Sequence, residues 1–225
     1  MEHIVKQFDG ELESVRTRLL EMGGRVEQQL TQALAAIAEM DTDIANKVLR
    51  DEDKIDQLEV EIDEDCILMI ARRQPAASDL RLVIAVTRAV RDLERIGDEA
   101  AKIAKHAIDL VDQGGAPSGY SEVRHIGQAV TDMLHSSLDA FARNDADAAM
   151  ATIKSDRKID DDYRTALRAL MTYMMEDSRS IGRVLNIVWV VRALERIGDH
   201  SKNLCEQIVY MVMGKDIRHM DDDKF

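Results

Sequence analysis

The sequence predicts an all-α protein made of two tandem, duplicated up-down-up three-helix bundles, with six long helices and essentially no sheet. Helix-favouring residues dominate the 225-residue chain, while aromatic residues make up 4% and prolines number two. Apolar residues recur every three or four positions. A decapeptide at 91–100, RDLERIGDEA, returns at 192–201 as RALERIGDHS. Such a repeat indicates an internal duplication, so we predict similar domains over 1–113 and 119–225.

The first two helices follow from the apolar pattern and from turn residues. The first helix has an apolar seam from Leu12 to Val26 and should end near Met40. Asp41 then offers a side-chain oxygen that can cap a second helix over roughly 44–73. A proline follows that helix in the exit turn, where no helical amide is needed.

The third helix begins where either Ser78 or Asp79 could act as its N-cap. Its seam runs over 86–111 and ends before a glycine-rich linker at 113–119. The fourth, fifth and sixth helices repeat the scheme. The sixth should stop near Gly214, because glycine accepts the left-handed conformation that often follows a helix.

Composition excludes several classes of partner. The net charge of −13 argues against binding to nucleic acid, and it equally disfavours direct binding to anionic lipid. The chain starts without the apolar core of a signal peptide and has no apolar stretch of membrane-spanning length, so we expect a cytoplasmic protein. Cys66 and Cys205 do not occupy equivalent positions in the two halves, and both are expected in the core. Trp189 is expected either in the core or between the two bundles.

Carboxylates on the second and third helices are predicted to converge. Asp56 precedes Pro75 by as many residues as Glu94 follows it, and Glu52 and Asp98 are likewise equidistant from that proline. Residues four apart share a helix face. If the two helices run antiparallel across the turn, all four side chains reach one level.

The second half repeats this pattern, as two equivalent sites or a duplication with a symmetrically shortened turn would both predict. There Asp156 matches Asp199 in height and Asp160 matches Glu195. Asp156 also occupies a position where the seam calls for an apolar residue, as Glu52 does in the first half. A charge at such a position needs a partner.

Four carboxylates within about 5 Å would repel by roughly 3 kcal/mol per pair at an effective dielectric constant of 20, so they require cations. One candidate is a hard, oxygen-preferring metal ion such as iron, manganese, magnesium or calcium, with zinc as a further possibility. The other is a set of ion pairs. The basic side chains available for them are Arg91, Arg95, Lys54, Lys102, Arg192, Arg196, Lys158 and Lys202. Acids that do not recur, such as Asp92, are interpreted as solvated surface.

Three segments carry a resemblance to a known family. They are LERIGD at 93–98 and 194–199, RQPAASDLR ending at Arg81, and HSKNLCEQIVYMVMGKDIRH starting at His200. With these the chain resembles the PhoU phosphate-signalling regulators over nearly its whole length. The resemblance implies a cytoplasmic, non-enzymatic negative regulator of phosphate uptake and of the phosphate-starvation response. It also implies an adaptor between PstB, the ATPase subunit of the Pst phosphate transporter, and the sensor histidine kinase PhoR.

The resemblance further implies a homodimer, and contact with the membrane only through partners. It implies metal-binding E/D-x-x-x-D motifs, which carry onto Glu94 and Asp98 and onto Glu195 and Asp199. The role extends less directly to the four acids of the neighbouring helices, Glu52, Asp56, Asp156 and Asp160. Two alternatives stay open: a carboxylate-bridged metalloenzyme, either a di-iron oxidase or a phosphate-ester hydrolase, and a metal-storage protein.

Overall fold

A computed structural model describes residues 2–114 and 120–218, and it contains six long helices and no strand in that part of the chain. The predicted fold class is confirmed. A short 3₁₀ turn over Ser178–Ser180 precedes the last helix. The helices are α1 (Glu2–Glu39), α2 (Thr42–Arg73), α3 (Ala77–Asp112), α4 (Tyr120–Arg143), α5 (Ala146–Glu176) and α6 (Ile181–Met213).

The helix ends agree with the sequence signals at most positions. The Asp41 side chain accepts hydrogen bonds from two backbone amides at the start of α2, at 2.8 and 3.1 Å. Gly214 ends α6 in the left-handed conformation, with φ of 69°. The predicted cap of α3 is wrong: Ala76 occupies the N-cap without a side-chain hydrogen bond, and Ser78 and Asp79 lie inside the helix.

The predicted seams form the core. The heptad positions of α2 are all 5% exposed or less, and both cysteines are buried and free. These heptad positions are Val48, Ile55, Ile62 and Met69. The core therefore lies along the centre of each bundle and leaves one face of every helix to solvent or to the other bundle.

The bundle of α1, α2 and α3 packs against the bundle of α4, α5 and α6 through α3 with α6 and through α1 with α4. The α1–α4 contact is reciprocal. A Cβ on Gly23 would lie 2.4 Å from a Leu138 methyl carbon, and a Cβ on Gly127 would lie 2.9 Å from a Leu34 methyl carbon. The predicted domain limits at 113 and 119 stay a prediction, because residues 115–119 lie outside the described part.

The prediction for Trp189 is wrong. Its side chain is 57% exposed, and it shares one face of α6 with Ile181 and Leu185, which are 40% and 43% exposed. In the described ranges, no helix is long and apolar enough to cross a membrane.

Candidate functional site

The first acidic cluster consists of Glu52 and Asp56 on α2 and Glu94 and Asp98 on α3. The two helices pack side by side across the turn at 74–76. Burial raises the pKa of Glu52, and Asp98 and Asp56 raise it further, against an opposing effect of Lys105. The four side chains thus lie close enough to influence one another's charge.

The same influences act on the other members of this cluster. Desolvation raises the pKa of Asp56, and the Asp98 charge adds to it. Desolvation also raises the pKa of Glu94, followed by the charges of Asp98 and Glu59. Glu59, which has no acidic counterpart in the second half, therefore adds negative charge to the first cluster.

No Lys, Arg or His nitrogen in the described ranges makes an ion pair within 4.0 Å of the first cluster. Two of the basic residues expected there, Lys54 and Lys102, bind other acids. Lys54 Nζ lies 2.6 Å from Asp51, and Lys102 Nζ lies 3.0 Å from Glu99. The mutual repulsion of the first cluster is consequently met by longer-range charges and by solvent.

The second acidic cluster consists of Asp156 and Asp160 on α5 and Glu195 and Asp199 on α6. It contains more deeply placed groups, since Asp156 is only 6% exposed. Lys202 Nζ lies 3.2 Å from Asp156, so burial raises the pKa of Asp156 while the lysine opposes that rise. This cluster therefore has an internal counter-charge.

The α6 members of the second cluster are also perturbed. Arg192 Nη1 lies 2.6 Å from Glu195 Oε1. Burial, and then the Asp199 charge, raise the pKa of Glu195. Desolvation and the Asp160 charge raise the pKa of Asp199. The second carboxylate oxygen of Glu195 is buried without a hydrogen-bond partner.

The donor chemistry of both clusters suits a hard metal ion, because carboxylate oxygens are its preferred ligands. The orphaned Glu195 oxygen is an unused acceptor of this kind. In the orientations found for residues 2–114 and 120–218, however, no three Asp, Glu, His or Cys side chains are arranged to hold an ion. Binding an ion would therefore require the carboxylate side chains to change rotamer. The helices already place these side chains at one level.

A polar bridge between the bundles lies beside the second cluster. His200 Nδ1 lies 2.9 Å from Asp92 Oδ1, and the Asn203 amide donates to the same oxygen at 3.0 Å. Because Asp92 and His200 are each only 15% exposed, the interpretation of Asp92 as solvated surface is wrong. Local periodicity does not reveal that His200 lies next to Asp92 across the α3–α6 contact.

A second missed bridge centres on Glu99, which is 3% exposed. Its carboxylate pairs with Arg196 at 2.8 Å and with Lys102 at 3.0 Å. On α6, closer to the Asp92 bridge, burial raises the pKa of Glu206 to about 7 against the lowering effects of Lys202 and Arg218. Ionic contacts thus link the two halves next to the acidic clusters.

Comparison with known proteins identifies the family of this chain. The model of the PhoU domain matches residues 19–107 and again 123–208, one match in each bundle. The chain belongs to the PhoU family. The predicted resemblance is confirmed.

Two curated PhoU relatives cover nearly the whole chain. The phosphate-specific transport system accessory protein PhoU homolog of Pseudomonas putida is 55% identical over 97% of this chain and 85% of its own length. The phosphate-specific transport system accessory protein PhoU of Escherichia coli K12 is 46% identical over 99% of this chain and 92% of its own.

Crystal structures of two PhoU proteins share the fold. PhoU from Pseudomonas aeruginosa superposes with a TM-score of 0.90 at 54% identity, covering 92% of this chain and all of the other. The phosphate transport system regulatory protein PhoU from Streptococcus pneumoniae gives a TM-score of 0.85 at 30% identity, covering 93% and 98%. The six-helix arrangement therefore persists at 30% sequence identity.

Proposed function

We propose that the protein is a cytoplasmic, non-enzymatic negative regulator of phosphate uptake and of phosphate-starvation signalling. In this proposal it joins the Pst phosphate transporter, through the ATPase subunit PstB, to the sensor histidine kinase PhoR. The observation that carries the proposal is the match of nearly the whole chain to accessory proteins of a phosphate-specific transport system.

The apolar face of α6 supports a role in partner binding. Ile181, Leu185 and Trp189 lie on successive turns and are all substantially exposed. Exposed apolar patches rimmed by polar residues are typical of protein interfaces, and tryptophan is enriched among the residues that dominate their affinity. The net charge of −13 on the whole chain favours selection among partners and rapid encounter.

Co-purification tests this function. The chain, recovered from phosphate-replete and phosphate-starved cells, should bring PstB or PhoR with it in a phosphate-dependent manner. The double variant Leu185→Ala with Trp189→Ala should reduce that recovery and release repression of a starvation reporter. Val212→Ala, an exposed apolar position at the other end of α6, is the matched control. Equal recovery of partners by all three proteins would contradict the proposed docking face.

We further propose that a hard divalent or trivalent cation organises the acidic clusters. The support is electrostatic: burial and mutual repulsion raise the pKa of Glu52, Glu94 and Asp199, and an ion would relieve that repulsion. The first cluster is the stronger candidate, since the second already contains Lys202 and Arg192. The ion would be held by Glu52, Asp56, Glu94 and Asp98 in the first bundle, and by Asp156, Asp160, Glu195 and Asp199 in the second.

Elemental analysis of purified protein tests the metal proposal. Glu94→Gln with Asp98→Asn should lower bound iron, manganese, magnesium or zinc more than Glu195→Gln with Asp199→Asn does. Unchanged metal content in both double variants would remove these residues as ligands. Turnover of phosphate esters by a metal-loaded sample would instead favour the metalloenzyme alternative.

We also propose that the chain forms a homodimer. Sedimentation of the same samples should give the mass of two chains, and the mass of one chain would contradict the proposal.

A further inference from the structure

A cleft of about 200 Å³ opens between α1 and α2, on the face of α2 that points away from the first acidic cluster. Its lining is unusual for this chain, because three cationic and three amide side chains meet there with one carboxylate, Asp51. The cations are Arg25, Lys47 and Lys54, and the amides are Gln28, Gln29 and Gln32.

Helix geometry explains why these side chains meet. The residues of α1 recur at spacings of three and four, as do those of α2, so each set occupies one helix face. The two helices are antiparallel across the turn at Met40. Arg25 therefore lies level with Lys54, and Gln32 lies level with Lys47. The result is a short groove with Arg25 and Lys54 at one end, Lys47 at the other, and amides along α1.

The lining carries a formal charge of about +2 in a chain whose net charge is −13. Part of that charge is already engaged. Lys54 Nζ lies 2.6 Å from Asp51, and Arg25 Nη2 lies 2.9 Å from Glu21, which lies outside the cleft. Both pairs are exposed to solvent and worth little, so an entering anion can compete for their donors.

The duplication provides an internal comparison. A cleft at the corresponding place between α4 and α5 has a volume of about 410 Å³, so the groove itself is a property of the bundle. Its lining differs. Ala129 occupies the position of Arg25 and Ala151 that of Lys47, while Lys158 alone is retained as a cation opposite Asp132. The positive charge of the first cleft thus does not follow from the architecture.

One further feature distinguishes the first cleft. Gln29 is 3% exposed, donates a hydrogen bond of 3.4 Å to the Val48 carbonyl, and leaves its own Oε1 buried without a partner. Its counterpart in the second cleft is Met133, an apolar residue. The Gln29 oxygen lies against Gly97 of α3, so the acceptor that the first cleft itself offers to a ligand is the Asp51 carboxylate.

We propose that the α1–α2 cleft binds a phosphate group, either as inorganic phosphate or as a small phosphate monoester. Arginine can bind such an oxyanion through two parallel hydrogen bonds, and the lysines and amides supply further donors. Orthophosphate keeps at least one proton near neutral pH, and the Asp51 carboxylate can accept a hydrogen bond from it. Sulfate has no proton to donate there. The site goes beyond the partner and metal contacts above, because it requires neither.

Phosphorus NMR and calorimetric titration of the full chain with orthophosphate test this site, in metal-free buffer at constant chloride concentration. Saturable binding is expected, and it should weaken about tenfold or more in the variant Arg25→Ala with Lys47→Ala. Glycerol phosphate in place of orthophosphate separates the monoester from the free ion. Both replaced side chains are exposed, so the fold should persist, as equal thermal unfolding midpoints would verify.

Lys158→Ala in the second cleft is the matched control and should leave phosphate binding unchanged. A reciprocal variant, Ala129→Arg with Ala151→Lys, should add affinity at the second cleft. Three results would overturn the proposal: no saturable binding at millimolar phosphate, equal weakening by Lys158→Ala, or sulfate binding as tightly as both phosphate ligands.

Discussion

The two acidic clusters hold carboxylates at equivalent places but differ in the cations beside them. In the second bundle Lys202 lies 3.2 Å from Asp156, whereas the corresponding residue of the first bundle is Ala101, which is buried and uncharged. Lys105 acts on Glu52 only at longer range. Duplication has thus preserved the negative charges, while the means of neutralising them has diverged.

The two clusters therefore differ in how the repulsion between their carboxylates is reduced. The second cluster contains its own close counter-charge, Lys202. The first cluster lacks such a cation in the described ranges. The pKa values of acids in both clusters are raised, so the close cation is what distinguishes the two. A cation bound from outside would consequently change the first bundle more than the second.

Removing Lys202 should have the largest effect. Lys202→Met leaves the Asp156 charge buried without that partner, so we expect a loss of about 2 kcal/mol in the free energy of unfolding. The loss should be greater at about pH 8 than at about pH 5, because protonation relieves an acid whose pKa is raised. Urea unfolding measures both values.

Adding Asp156→Asn to Lys202→Met should restore most of this stability. Lys105→Met is the matched control in the first bundle and should change stability by less than about 0.5 kcal/mol. Equal losses for the two lysine variants would show that the clusters do not differ in their dependence on a close cation.

Glu206 provides a second contrast, since Lys105 occupies its place in the first half. Burial raises the pKa of Glu206 from 4.5 to about 7, so its contribution to stability is greatest below 4.5 and is lost as the pH rises towards 7. Glu206→Gln should therefore stabilise the protein at about pH 8, by on the order of 1 kcal/mol, and not at about pH 4. A gain that is independent of pH, in thermal melts across this range, would contradict the assignment.

The repeated glycines of the motif should respond unequally to alanine. A Cβ on Gly198 would meet Ile159 at 3.4 Å, an ordinary contact, so Gly198→Ala should gain roughly 0.7 kcal/mol from helix propensity. A Cβ on Gly97 would lie 3.1 Å from Gln29 Oε1, which must move, so Gly97→Ala should gain less. Equal thermal shifts for the two variants would argue against this packing difference.

The smallest expected effect is relief of repulsion in the first cluster. Glu94→Gln removes one charge that burial and Asp98 disfavour, so we expect a gain of about 0.5 kcal/mol at neutral pH. The gain should shrink in high salt, because exposed charges are screened. Chemical denaturation at low and high salt measures it, and a loss of stability would indicate a stabilising role for Glu94 in the folded chain.

Local sequence signals predicted the helices well because caps and apolar periodicity act within a few residues. Asp41 and Gly214 confirm this, as do the buried heptad positions of α2. The level of the carboxylates also followed from the sequence, since it needs only two antiparallel helices and a known turn.

Contacts between the bundles were not predictable in the same way. The partner of Asp92 is His200 on α6, and nothing near either residue in the chain specifies that pairing. Trp189 was expected in an interior position, yet the face of α6 that it occupies is left uncovered. Periodicity identifies which face of a helix is apolar, but the relative placement of six helices decides which faces are covered.

Leu138 packs against Gly23, and Leu34 packs against Gly127. This reciprocal contact bears on the origin of the chain. The two leucines occupy equivalent positions in their halves, and so do the two glycines. The first half therefore contacts the second in the same way as the second contacts the first. That is the signature of an isologous interface between identical subunits. A symmetric pair of single three-helix subunits, joined by fusion of their genes, would leave this arrangement inside one polypeptide.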